Sequence, residues 1–194
     1  MAGTINDFLS SFSAELARPS KFDVTIPVPL SLANLKTSAK NLTFRCESAA
    51  MPGRTFETTV KKLGSAPVEY FPYHNNYQQA TMTFIVSDDM NEKIFFDAWM
   101  ELINPTTTYN FEYKANYATD ITITQYNQQG QATYSGILQE AFPIDVNQLD
   151  LDWTTDSYHK LAVVFVYKQW QNNSVAVLRD NIVSDLLSGA INSF

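Results

Sequence analysis

HKLAVVFVYKQW, residues 159–170, is the stretch whose reading decides the fold. Leu161, Val163, Phe165 and Tyr167 alternate onto one face, the period of a β-strand. Ala162, Val164 and Val166 make the opposite face apolar as well. A strand apolar on both sides is central and covered twice. In an antiparallel domain the second cover comes from a helix or from another subunit.

The first strand is written differently. In KFDVTIPVPL (21–30), Phe22, Val24, Ile26, Val28 and Leu30 face one way, and Lys21, Asp23, Thr25, Pro27 and Pro29 the other. Two prolines on the outer face cannot donate ladder hydrogen bonds, so this strand should sit at a sheet edge or leave the sheet early.

Between these two strands the pattern is mostly β. Leu42, Phe44 and Cys46 alternate over 41–47, AAMPGR (49–54) is a turn, and Met82, Phe84 and Val86 share a face over 81–86. Further strands are expected at 108–114 (Tyr109, Phe111, Tyr113), 119–126 (Ile121, Ile123), 132–143 and 142–153, with a turn at NQQG (127–130). Residues 55–80 read as a long hairpin or extended loop, longer than a compact domain keeps without a use.

One helix stands out over about 89–104. Ser87, Asp88 and Asp89 are placed to cap it, Ile94, Phe95, Ala98, Trp99, Leu102 and Ile103 form its stripe, and Pro105 ends it. Short amphipathic helices are expected at both ends, over 1–20 (Ile5, Phe8, Leu9, Phe12, Leu16) and over 171–194 (Val175, Leu178, Ile182, Leu186, Ala190). The expected fold is therefore mainly β: one domain over 1–194, an antiparallel two-sheet sandwich or open barrel with one flanking helix. Its β core runs over 21–170.

Composition narrows the function. With 13% aromatic and only 17% charged residues in 194, a folded core is expected instead of disorder. The net charge of −7 is wrong for gripping nucleic acid, which takes Lys and Arg contacts to phosphate. A single cysteine, Cys46, rules out an intrachain disulfide and reads as a small core residue. The N-terminus lacks the basic and apolar segments of a secretory signal, which points to synthesis and folding in a cytoplasm. The glycosylation-type matches at Asn41 and Asn172 are then chance. No apolar run reaches membrane-spanning length, so no membrane insertion is expected.

Catalytic chemistry is thin. There are two histidines, His74 and His159. Asp156, Ser157 and His159 could form a triad only on paper, since near-consecutive residues of an extended chain cannot converge. Asp150 with Asp152 lacks the spacing of a calcium loop, and Glu140 with Asp145 is a carboxylate pair such as any acidic β-protein offers. No zinc set, phosphate loop or cofactor motif is present, and no enzyme is expected.

Four blocks occur in one order: ELARPSKFDVTI (15–26), FRCESAAMPGR (44–54), KIFFDAWMELIN (93–104) and NQLDLDWTTDSYHKLAVVFVYKQW (147–170). Together they resemble the tail tube protein of contractile-tailed bacteriophages, the inner-tube family of contractile injection systems. The resemblance implies a subunit of a hexameric ring with a continuous inner β-barrel. Rings stack into a hollow tube that conducts DNA, or effectors in secretion-like machines. It implies a virion location after assembly in the host cytoplasm, with tail sheath, baseplate and tape-measure proteins as partners. It also implies a ring-stacking arm over 55–80, with Lys61, Lys62, Tyr70, Phe71, Tyr73 and Tyr77 as its contacts.

Val164, Val166, Lys168 and Trp170 would lie on the subunit interface strand, and Glu112, Asp120 and Glu140 are candidates for acids facing the lumen. A baseplate tube initiator of the same fold is an alternative, favoured by the extra residues after Trp170 and in SLANLKTSAK (31–40). A second alternative is a monomeric carbohydrate- or receptor-binding β-module using the aromatics of Tyr70–Tyr77.

Overall fold

The computed structural model describes residues 5, 16–35, 42–154 and 156–172. The expected terminal helices lie mostly outside these residues; of the described ones, Ile5 is helical, 16–20 are coil and turn, and 171–172 are strand instead of helix.

Among the described residues the strands and the two α-helices that bear on the fold follow in order. Strand β1 is Phe22–Thr25, β2 Cys46–Ala49, β3 Arg54–Lys61, β4 Glu69–Tyr77 and β5 Ala80–Ile85. Helix α1 (Asn91–Ile103) and the single turn α2 (Lys114–Tyr117) come next. Strands β6 (Thr119–Tyr126), β7 (Ala132–Val146), β8 (Lys160–Val166) and β9 (Gln169–Asn172) complete the order. All pairings are antiparallel, and the main sheet runs β1-β6-β7-β8-β5-β2, with β9 also on β7. Strands β3 and β4 form a separate two-stranded sheet. The fold is mainly β, and the monomer contains no closed barrel.

The two strands that opened the reading sit where their composition put them. Strand β8 is central, between β7 and β5. Leu161, Val163 and Phe165 are fully buried, while Ala162, Val164 and Val166 on the other face are only half-covered. Strand β1 is at the edge. It stops at Thr25, before Pro27, and the following 3-10 turn Leu30–Leu35 reverses the expected faces: Leu30 is exposed and Pro29 buried.

Strand β7 is the structural hinge of the sheet. Its first half pairs with β6 and β9, its second with β8. Inward positions are Gly136 and Leu138 before Glu140, then Ala141 and Pro143 after it. A one-residue slip would turn the second half inside out. Glu140 absorbs that slip as a bulge, with φ 52° in the left-handed region. The two strands expected over 132–153 are therefore one 15-residue strand, and 147–152 is loop.

Helix α1 closes one core shared by both halves of the sheet. Phe95, Phe96 and Trp99 are fully buried beside Phe84 and Phe165, with ring centroids 5.2–6.4 Å apart. Ile94, expected inside, is exposed. The cap also differs: Met90, in the left-handed region, precedes the helix with no side-chain cap. Glu92 turns inward instead. Its Oε2 accepts from the Ser87 N–H (2.8 Å) and hydroxyl (2.7 Å), and the Arg45 guanidinium lies 3.1 Å from its Oε1.

Two expected strands are absent. Residues 42–45 form a helical turn that buries Leu42 and exposes Phe44, so these two do not share a face with Cys46. Residues 108–113 are coil leading into α2, and Tyr109, Phe111 and Tyr113 are all exposed. The alternation there reflects no sheet, because Thr108 and Tyr109 donate to the Pro105 carbonyl in a turn, and Tyr109 itself has φ 55°.

Candidate assembly surfaces

Strands β3 and β4 form an arm. Every residue of β3 and all of β4 except Tyr77 are exposed, so the hairpin does not rest on its own body. It is held by its own ladder, by the Tyr73 hydroxyl donating to Glu57 (2.7 Å), and by Arg54 over Phe56 and Lys61 over Phe71. The Glu57 carboxylate beside Tyr73 pushes its phenol pKa upward. At the base, Tyr77 meets Tyr167 with ring centroids 6.2 Å apart. At the tip, Gly64 takes φ 56°, which suits a residue without Cβ, and Leu63 is 87% exposed.

All six residues singled out for the arm thus fall on or beside the hairpin, and Tyr77 anchors it instead of projecting. Leu63 was missed. An isolated leucine before Gly-Ser has no periodicity to flag it, and only its place at the turn makes it prominent.

Val164 and Val166 share the half-covered face of β8. Trp170 lies in β9 opposite Leu138 and packs against the core, with its indole N–H buried and unpaired. Lys168 departs from this group: its ammonium bonds Glu140 at 2.8 Å.

Two of the three candidate acids, Asp120 and Glu140, meet at that same bulge. Glu140 also pairs with Lys114 at 2.9 Å, and its N–H donates to Asp120 Oδ1 at 2.9 Å. The hydrogen bonds from Lys114 and Lys168 pull the Glu140 carboxyl down to about 2. Glu112 is not on a strand. Its carboxylate accepts from the Tyr113 N–H and the Asn116 side-chain amide, which lowers its pKa.

The loop 147–159 frames an open cleft of about 700 Å³. Leu151 is exposed there and Trp153 is fully exposed. Asp150 accepts from the Gln148 amide, and Asp152 from the Thr154 N–H and hydroxyl, so each serves its own loop. Ser157 and His159 line the same cleft, His159 half-buried just before β8. Among the described residues no group of three or more His, Cys, Asp or Glu is placed to hold a metal, and no helix is long and apolar enough to cross a membrane. Burial pushes the Cys46 thiol up to about 12, which leaves it protonated and unreactive near neutrality.

Solved structures share this fold. The chain is similar to the tube-terminating cap of the anti-feeding prophage, at 17% identity and TM-score 0.58 over 82% of this chain and 92% of that one. The sheath/tube terminator of the extracellular contractile injection system PVC matches at 15% identity and TM-score 0.60, over 82% and 98%. A chain of the PVC sheath–tube complex in its extended state matches at 14% and 0.58, over 89% and 99%. No curated protein matches the sequence. The profile of the phage tail tube protein family matches residues 17–173. With most of its length covered by that match, the chain belongs to the phage tail tube protein family.

Proposed function

We propose that the chain is a structural subunit of a contractile-type tail tube. Six copies close into a ring, strands of neighbours complete an inner barrel, and rings stack into a hollow conduit for DNA or effectors. The arm is the observation that carries this. A two-stranded hairpin standing alone in water is marginal at best, and this one exposes Phe56, Val60, Leu63, Tyr70, Phe71 and Tyr73. Such a surface calls for a partner, and in a tube the adjoining ring supplies it.

The half-covered Val164 and Val166 and the edge strands β1 and β2 supply lateral contacts, where pairing with a neighbour removes exposed ladder groups. Glu112, Asp120 and Glu140 face the lumen, with the Glu140 charge met by Lys114 and Lys168 and Asp120 held by the Glu140 N–H. Six copies at −7 each carry formally −42, and an acidic wall repels phosphate so that DNA slides. Sheath surrounds the tube, baseplate and tape-measure proteins set its start and length, and the assembled protein resides in the virion. The likeness to chains from sheath–tube and baseplate assemblies supports these partners.

Replacing 62–68 with a tight turn tests the role of the arm. The shortened chain should form no tubes by negative-stain microscopy while its circular dichroism stays native. Unchanged tubes would remove the arm from stacking.

A second reading, a ring that begins or ends a tube, is favoured by the matches to a cap and to a terminator. It predicts isolated rings that never stack with one another.

A further inference from the structure

The arm and the loop 147–159 lie at opposite ends of one ladder. Strand β5 pairs with β8 from Ala80 opposite Phe165 to Ile85 opposite Lys160. The arm leaves at the Ala80 end, through Tyr77 beside Tyr167. The loop sits at the Lys160 end, where Asn147 hydrogen-bonds the Ala162 and Lys160 carbonyls. Five strand residues, roughly 17 Å, separate the two attachment points.

The two surfaces also differ in chemistry. The arm tip carries Lys61, Lys62 and the exposed Leu63 in direct succession. The cleft carries Asp150 and Asp152 alternating with the exposed Leu151 and Trp153. Lys160, the cation in the cleft lining, is already bonded to Glu47 at 2.6 Å. Leu63 and Trp153 are both exposed within one molecule, so the tip does not fill its own cleft.

We propose that the arm tip of one copy, Lys61–Leu63, docks in the 147–159 cleft of a second copy, with Leu63 between Leu151 and Trp153 and the two lysines against Asp150 and Asp152. This rests on the tube reading and names the surface that receives the arm. A tip at one end meeting a cleft at the other is a head-to-tail contact, which builds an open stack when its rotation does not close. Opposed charge sets register and hastens encounter, and the leucine–tryptophan contact supplies the dry centre.

The test is a charge exchange in the full chain, read by sedimentation and negative-stain microscopy over a concentration series. Lys61→Glu with Lys62→Glu should raise the concentration needed for tubes about tenfold or more. Asp150→Lys with Asp152→Lys should do the same, and the fourfold variant should regain tubes. These side chains are exposed, and circular dichroism checks that each variant folds. A cysteine pair, Leu63→Cys with Trp153→Cys, should give a ladder of intermolecular disulfides under oxidation, Cys46 being protonated and inert.

Tubes unaffected by the lysine reversal, no recovery in the fourfold variant, or an intrachain disulfide would each overturn the docking while leaving the tube reading intact. A wild-type chain that forms neither rings nor tubes at any concentration, and no intermolecular disulfide, would overturn both.

Discussion

Glu140 does three things at once. Its backbone makes the bulge that keeps both halves of β7 facing the core, its N–H is held by Asp120, and its carboxylate joins Lys114 and Lys168. A carboxyl depressed from 4.5 to about 2 contributes stability that is fully present above 4.5 and lost as pH falls toward 2. Glu140→Gln should therefore lower the melting temperature at pH 7, and its difference from wild type should shrink as pH falls from 4.5 toward 2. A difference independent of pH would mean the ion pairs contribute nothing.

Glu92 is the other charge that matters, at 1% exposure beneath Arg45. Removing the arginine leaves a buried carboxylate with two donors from Ser87 and no cation. Arg45→Ala should cost about 2 kcal/mol in urea unfolding, less than for a fully buried pair because Arg45 is itself partly in water. A cost below a few tenths would show that solvent already screens the pair.

At the level of elements, α1 covers the core, and its aromatic ladder sets its strength. Trp99 packs among Phe95, Phe96 and Phe165 and donates its indole N–H to the Tyr117 carbonyl at 2.9 Å. Trp99→Ala should destabilise by about 3–5 kcal/mol, from lost burial and an unfilled cavity. Equilibrium urea denaturation reads this directly, and a loss under 1 kcal/mol would mean that the helix does not anchor the core.

The elements also show what alternation can and cannot convey. The doubly apolar β8 and the β1 that ends before its prolines were legible because the apolar faces are written residue by residue. Strand β7 was not legible as one element, because the bulge at Glu140 breaks the period without any glycine or proline to mark it. Tyr109, Phe111 and Tyr113 alternate as strand residues do, yet the turn after Pro105 and the Glu112 N–H donating to the Ile103 carbonyl hold them in coil. Period-2 writing records side-chain spacing and leaves out the ladder partner that a strand needs. The arm was visible as a long segment without a core face, whereas its tip residue and the receiving cleft are set by turn geometry and by the packing of distant ends.

Across the whole molecule, the protein divides into a buried sheet-and-helix body and surfaces that one copy cannot satisfy: the free-standing arm, the half-covered outer face of β8, the open edges and the cleft. Solvent-exposed hairpins and edges recruit other chains. In the proposed assembly, lateral pairing would close a ring and end-to-end docking would extend it. The formal −42 of six copies opposes that closure at low salt, where the Debye length is long, and physiological ionic strength relieves it.

The central claim is self-assembly into stacked rings, and electron microscopy of the purified full-length chain over a concentration series at about 0.15 M salt tests it most directly. Hollow six-fold rings stacking into tubes as concentration rises are the expected result. Particles that remain uniform monomers at every concentration, in the presence of preformed tube ends as well as without them, would contradict it.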